Sequence, residues 1–210
     1  LVGAIIMTHG DDEGLILPPA IAPFQVVIVP VAAHKPGVLE KAQELKARLE
    51  KFCRVKLDDS EQSPGWKFAQ WEMKGVPLRL EIGPKDIENE QCVLVRRTDR
   101  EKLFTKLADL ETAIPAQLVA ISQQLYARAQ QNREERTFSA ATMDEVLELA
   151  NTKNGYIKTM WCGDAACEEA MKEKAGLSSR CIPFVQEHVG DTCPCCGKPA
   201  QTMVVWGKAY

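Results

Sequence analysis

Six of the chain's eight cysteines fall in its last fifty residues, and four of them form two short pairs, Cys162-x4-Cys167 and Cys193-x2-Cys196. Thiolates are soft donors, and two such pairs from separated segments can clamp one zinc ion in a tetrahedron. Four protein ligands leave no position for water, so the expected role is structural and not catalytic. Pro194 stiffens the second turn, and Gly197 lets backbone amides face the sulfurs. Asp164 is placed to cap a helix whose first turn holds Cys167, and a helix N-terminus favours the thiolate form. Disulfides would need an oxidising compartment, and no secretory leader opens the sequence. A redox Cys-x-x-Cys is expected after a strand, not in a tail of Pro and Gly. Cys195, inside the knuckle, is the ambiguous member. Cys53, Cys92 and Cys181 are expected to be ordinary buried thiols.

A second set of chemistry-bearing residues lies upstream. Glu72, Arg79, Glu81, Asp86, Arg96 and Arg97 surround two expected strands with both signs of charge. A solvated sheet edge accounts for such a set. So does recognition of exposed base edges, in which carboxylates accept from guanine's N1–H and exocyclic amine while Arg and Lys donate to O6 and N7. His9, beside Asp11 and Asp12, reads either as part of a polar turn or as an active-site rim. With histidines only at positions 9, 34 and 188, no nucleophilic triad can be assembled.

Elements with hydrophobic periodicity must position these groups. The chain has 210 residues, 45% hydrophobic and 26% charged, which excludes a disordered, collagenous or coiled-coil polymer and fits one or two domains. No apolar run reaches the roughly 18 residues of a membrane span. The net charge of −3 argues against a generally basic nucleic-acid binder. Only residues 21–140 are net positive, with nineteen basic and seventeen acidic side chains. Leu1–His9 and Leu15–Leu17 read as two antiparallel strands around a Gly/Asp turn, stopped by Pro18 and Pro19. An apolar strand at the first residue suggests a piece of something larger. Strands are expected at Phe24–Val31, Arg54–Leu57, Val76–Ile82 and Gln91–Arg97. Helices are expected from Val38 to Phe52 and from Pro64 to Gly75, and a long one from Pro115. Thr142 and Glu145 have capping-box spacing. The succession is α/β, without a Gly-rich phosphate loop, and a domain boundary is expected near residues 130–140.

Longer motifs then narrow the reading. MTHGDDEGLILPPAIAP (Met7–Pro23), SPGWKFAQWEMKGVPLRLEIGPKD (Ser63–Asp86), CGDAAC, CPCCG and the terminal WGKAY resemble prolyl-tRNA synthetases, class II enzymes, in order along essentially the whole chain. The likeness is narrower to their archaeal and eukaryotic-type branch, which also occurs in some bacteria. It implies three parts. Residues 1–23 would be the end of a class II catalytic domain just after its motif 3 arginine, with His9 and Gly10 on a strand lining the amino-acid pocket. Residues 24–130 would be a mixed-sheet anticodon-binding domain, and residues 131–210 a small α/β zinc-binding domain. The resemblance implies that Glu72, Arg79, Asp86 and Lys102 read the anticodon, and that Cys162, Cys167, Cys193 and Cys196 hold structural Zn2+. It further implies a cytoplasmic ligase that uses proline, ATP, Mg2+ and tRNA(Pro) and dimerises through its catalytic domain. Tyr210 would carry a free C-terminus that tucks toward that domain. Ala20 departs from a position that is often basic. A free-standing anticodon-binding and zinc module, or an adaptor without an RNA role, would carry the same local motifs.

Overall fold

The computed structural model describes residues 2–208; Leu1, Ala209 and Tyr210, and with them the expected role of the C-terminus, lie outside the described residues. The chain divides into two compact units, residues 1–129 and 130–210.

The first unit is built on a mixed five-stranded sheet. Its strands are β1 (Val26–Pro30), β2 (Val55–Leu57), β3 (Leu78–Ile82), β4 (Gln91–Arg96) and β5 (Lys102–Lys106), in the spatial order β2-β1-β3-β4-β5. β1 pairs in parallel with β2 and β3, and the chain then turns back so that β4 and β5 add antiparallel. Strand residues alternate between faces. One face, with Val26, Ile28, Leu78, Leu80 and Leu94, packs against α2 (Val38–Leu49) and α5 (Leu110–Glu135). The opposite face, with Val27 and Val29, takes α3 (Pro64–Met73) through Trp71 and Phe68. β1 is therefore buried along its whole length, as the apolar run Val26–Val29 requires.

Helix α3 starts where expected, with Pro64 at its first position and the Ser63 hydroxyl accepting from the Trp66 amide. Gly75 follows its end with a positive φ of 74°. A Cβ there would lie 2.6 Å from that of Leu15, because the Leu15–Leu17 segment runs along the helix end, donating to the Met73 and Gly75 carbonyls. The body of α3 is fixed from below. Buried Lys67 donates to the Asp58 carbonyl at 2.9 Å, and the Trp71 indole donates to the Asp58 carboxylate at 2.6 Å.

Several expectations are corrected. Residues 2–9 are not a strand but α1 (Val2–His9), with none of its residues buried. An unpaired strand leaves its backbone groups unsatisfied, whereas a helix bonds its own, and no strand lies beside this segment among the described residues. Leu15–Leu17 is likewise extended without a strand partner. The Gly83–Asp86 turn winds into a short helix, α4 (Pro84–Glu88). Helix α5 begins at Leu110, not at Pro115. Burial of Leu110 and Ile114 outweighs the one backbone hydrogen bond that an interior proline removes. Strand β5 is an addition that the sequence reading does not contain.

The second unit is a four-stranded sheet with two helices. Its elements are β6 (Thr137–Ser139), α6 (Met143–Thr152), β7 (Tyr156–Trp161), α7 (Ala165–Ala175), β8 (Leu177–Cys181) and β9 (Thr202–Lys208), the strands lying in the order β6-β7-β9-β8. The Thr142/Glu145 capping box forms as spaced. Val146, Ile157, Met171 and Trp206 make one core cluster, with the Trp206 indole donating to the Thr159 hydroxyl at 2.9 Å.

Losing one partner of a buried ion pair strands the other charge, typically at 3–5 kcal/mol. Asp58→Ala, which leaves the Lys67 ammonium buried with only a carbonyl for company, is expected to lower the unfolding free energy by about 3 kcal/mol in urea titration. A change smaller than about 1 kcal/mol would show that the Asp58 carboxylate is not needed to hold α3.

Candidate functional site

The four paired cysteines converge in the second unit. Cys162 follows β7; Cys167 sits in the first turn of α7, whose N-cap Asp164 accepts from the Ala166 amide at 3.0 Å. Cys193 and Cys196 occupy a tight knuckle closed by the Gly197 amide donating to the Cys193 carbonyl at 2.8 Å, with Gly197 at φ 72°. The four Sγ atoms all lie within 4.8 Å of one another, with Cys162 at 3.6 Å from Cys167 and 3.7 Å from Cys196. Sulfurs bound to zinc at about 2.3 Å stand roughly 3.8 Å apart along the edges of a tetrahedron, whereas a disulfide needs about 2.05 Å. The spacing thus fits a shared cation and not bonded pairs. Burial disfavours the Cys193 thiolate, but backbone amides of Cys195, Cys162 and Cys196 aimed at its sulfur bring it down to about 7. Cys195 faces elsewhere: its thiol donates to the Cys167 carbonyl at 3.3 Å, and burial pushes it up to about 11. Of the remaining thiols, Cys92 is buried and Cys53 half-buried, but Cys181 is exposed near the end of β8, contrary to expectation. The burial pattern there is outward from Ser179 on, so the strand's edge faces solvent.

The mixed-charge set of the first unit is not a solvated edge. Arg79, Glu81 and Arg97 are all buried. Arg79 on β3 donates from Nε to Glu81 at 2.9 Å and from Nη1 to Glu72 at 2.7 Å, and its guanidinium lies 4.1 Å over the Phe68 ring. Two of its five N–H groups are engaged by these carboxylates. Nη2 has no partner among the described residues. Phe68 and Glu72 reach Arg79 together because they are four residues apart on one face of α3. Glu81 does so because it is two residues along the same strand face.

Lys102 lies on this face too. Register places Arg79 opposite Val95 and Val95 opposite Lys102, so the three form one row across β3, β4 and β5. Lys102 is exposed and has no ion pair among the described residues. Asp86 stands apart from the row. Just past the end of β3 it caps the start of α4, its Oδ2 accepting from the Gly83 amide at 2.8 Å. Structure thus brings Glu72 and Arg79 into contact, aligns Lys102 with them, and puts Asp86 beyond the strand end. The roles of Phe68 and Glu81 as partners of Arg79 emerge only here, although the i,i+4 and i,i+2 spacings that bring them there are visible in the sequence.

At the other end of β4, Arg97 joins the N-terminal turn to the sheet. Its guanidinium donates twice to Asp11, at 2.7 and 2.5 Å, and its Nε donates to the Glu72 carbonyl at 3.0 Å. The Arg97 hydrogen bonds and charge hold the Asp11 carboxyl at about 2, against the opposing effect of burial. His9 closes α1. Its carbonyl accepts from Arg128 at 3.1 Å, and its Nδ1 is buried without a hydrogen-bond partner among the described residues. Burial, then the nearby Arg128 cation, lower its pKa. His9 and Gly10 are thus in and just after a helix, not on the strand expected for them.

Comparison with known proteins follows this division. Residues 25–117 match the family described as an anticodon binding domain, and residues 143–210 the family described as prolyl-tRNA synthetase, C-terminal. Proline–tRNA ligases of Clostridium novyi and Ruminiclostridium cellulolyticum are 61% and 56% identical over all 210 residues, and proline–tRNA ligase 2 of Bacillus cereus is 55% identical. In each case the whole chain aligns with only 44% of the relative's length, so it spans less than half of the proteins it matches. No described helix is long and apolar enough to cross a membrane.

Because the Asp11 carboxyl titrates lower in the folded state than in an unfolded chain, its pair with Arg97 stabilises the fold above about pH 4, and that contribution disappears as pH falls toward 2. Asp11→Asn is expected to cost about 1 kcal/mol at neutral pH, a figure discounted for solvent screening. Urea midpoints of the variant and the parent should converge on acidification. A difference that stays constant from pH 7 to pH 2 would contradict the assignment.

Proposed function

We propose, on the premise that this chain is similar over its full length to the C-terminal portion of prolyl-tRNA synthetases, that it is the tRNA-recognition end of a proline–tRNA ligase. The whole enzyme would activate proline with ATP and Mg2+ and transfer it to tRNA(Pro). This portion would supply anticodon binding and a structural zinc, and no catalytic group. The observation that carries the reading is Arg79, held rigidly between Glu72 and Glu81 with donors left over.

Proline anticodons share guanines at their second and third positions. Guanine presents O6 and N7 as acceptors and N1–H and N2–H as donors, so a site for it needs cations and carboxylates together. Arg79 and Lys102 supply donors; Glu72 and Asp86 supply acceptors. Because Arg79 is held in place by two carboxylates and a ring, little side-chain freedom remains to be lost on binding. The fragment's modest overall charge is consistent with reading base edges more than with tracking phosphates.

The knuckle fits Zn2+ held by Cys162, Cys167, Cys193 and Cys196, with Cys195 excluded by its bond to the Cys167 carbonyl. Bound there, the ion would neutralise sulfurs that cannot all be thiolates at such close range and would fasten the β7–α7 junction to the loop before β9. This four-cysteine domain supports the archaeal and eukaryotic-type branch as represented in bacteria. Residues 1–23 are read as the end of the catalytic domain, with His9 and Gly10 at the amino-acid pocket; the unpartnered Nδ1 of His9 supports that reading. A cytoplasmic homodimer, joined through the catalytic part, completes the proposal. The free-standing module is not favoured, since the relatives are ligases throughout.

In the complete ligase, Arg79→Ala is expected to lower charging of tRNA(Pro) by about 5- to 150-fold, the worth of a good bidentate base contact. Proline-dependent ATP–pyrophosphate exchange should stay within about twofold, which also reports correct folding of the catalytic part. Arg79→Lys should not rescue charging, since an ammonium cannot reproduce the planar fork. Parallel loss of both activities would overturn the assignment. Separately, chain purified without chelator should hold about one zinc, lost in Cys193→Ser and kept in Cys195→Ser. Metal-free protein, or metal kept in the former and lost in the latter, would refute the ligand set.

A further inference from the structure

Strand β5 carries an anomaly. Its outward face reads Lys102, Phe104, Lys106, while Leu103 and Thr105 face the core side, opposite Leu94 and Cys92. Phe104 is 72% exposed. Outward lysines on an edge strand are an ordinary guard against edge-to-edge pairing. An outward phenylalanine between them serves no such purpose and adds nothing to the core.

Its place in the sheet supplies a purpose. Register puts Glu81 opposite Val93 and Val93 opposite Phe104, so Phe104 shares a face with Arg79 and Lys102 and stands one row further along. That displacement runs toward the end of β3, where Gly83 and Asp86 follow; Lys106, opposite Gln91, makes the next row. The ring therefore stands between the Arg79–Lys102 row and the Asp86 end of the sheet. It lies about 10 Å across the strands from β3, two strand spacings. Helix α3 packs against β1 on this face, and Phe104 on the far edge strand is left open. Neither Lys102 nor Lys106 has an ion pair among the described residues, so both ammonium groups are available to a ligand's phosphates. An exposed aromatic face flanked by cations is what single-stranded RNA requires: a surface for one base and charge for the backbone on either side.

We propose that Phe104 is a stacking platform for an unpaired nucleobase of the RNA loop whose guanines are read at Arg79, with Lys102 and Lys106 against the phosphates that flank it. This rests on the anticodon-reading proposal and adds to it a residue that holds a base by its face, without regard to base identity. Stacking is base-tolerant because every base has a π-face. Phe104 should therefore contribute affinity, while Arg79 contributes discrimination.

The test uses the whole 210-residue chain and a proline anticodon stem-loop RNA, with dissociation constants from fluorescence anisotropy. Phe104→Ala and Phe104→Leu are expected to weaken binding about 5- to 100-fold, and Phe104→Trp to preserve it. The loss in Phe104→Ala should be the same on a stem-loop whose two guanines are replaced by adenines, measured at lower salt. Lys106→Ala should reduce the slope of log affinity against log salt by about 0.7. Unchanged thermal midpoints are expected for all these variants, since the side chains are exposed. If the parent chain binds and Arg79→Ala weakens it but Phe104→Ala does not, the platform is refuted and the anticodon reading stands. Full binding by Phe104→Leu would refute stacking as well, because leucine keeps the apolarity without the ring. If the parent chain shows no preference for the guanine-bearing loop, the anticodon reading itself fails, and the platform with it.

Discussion

A guanidinium taken out of water must find its counter-charges inside the protein, and Arg79 imposes that demand in the middle of a β-sheet. Leaving such a charge unpaired would cost several kcal/mol. Glu81 meets part of the demand from the same strand, but Glu72 meets the rest from α3, so the helix is held at one height above the sheet. Phe68 closes the stack on one side of the guanidinium. Everything proposed about recognition depends on this arrangement, because it leaves Nη2 in a known place with a carboxylate on either side of the guanidinium. The pairing is as much a positioning device as a stabilising one. A buried hydrophobic substitute for the triad would pack as well, but it would read nothing.

The helix that supplies Glu72 is itself over-determined. Lys67 and Trp71 tie its buried side to Asp58, and its C-terminal end receives the Leu15 amide on the Met73 carbonyl. Arg97 then reaches from the end of β4 to both the Glu72 carbonyl and Asp11. The N-terminal turn is thus fastened to the backbone of the residue that binds Arg79. In the second unit the organising constraint is different: four sulfurs gathered within 4.8 Å come from the β7–α7 junction and from a loop with little regular structure of its own. A cation shared by all four would supply the cohesion that the short knuckle around Pro194 cannot obtain from burial.

Much of this was legible in the residues. The apolar run of β1, the Pro64 start and Gly75 stop of α3, the Thr142 capping box and the pairing of cysteines each carry their signal within a few positions. What was missed depends on distance along the chain. The run Leu1–His9 is apolar enough for a strand, yet a strand is a relation to a neighbour, and with none beside it residues 2–9 close their own hydrogen bonds as a helix. Pro115 looks like a helix start because local rules place proline there; the burial of Leu110 and Ile114, a tertiary effect, carries the helix past it. β5 escapes notice because Phe104 sits at an outward position, giving Lys-Leu-Phe-Thr-Lys no clean alternation of polar and apolar. That irregularity is the mark of its proposed use. Arg79 and Glu72 were legible as chemistry, but their contact was not, since it depends on how α3 settles across the sheet.

The central claim is that the Arg79 guanidinium and a guanine of the proline anticodon meet directly. A double-mutant cycle isolates that contact: the parent 210-residue chain and its Arg79→Ala variant, each against a stem-loop with guanine or with 7-deazaguanine, which lacks N7 but keeps O6, N1–H and the exocyclic amine. Direct recognition predicts that the two changes are non-additive by at least about 1 kcal/mol, with the base change nearly silent once Arg79→Ala is present. Additive losses, agreeing within about 0.5 kcal/mol, would contradict it and leave Arg79 a structural ion pair alone.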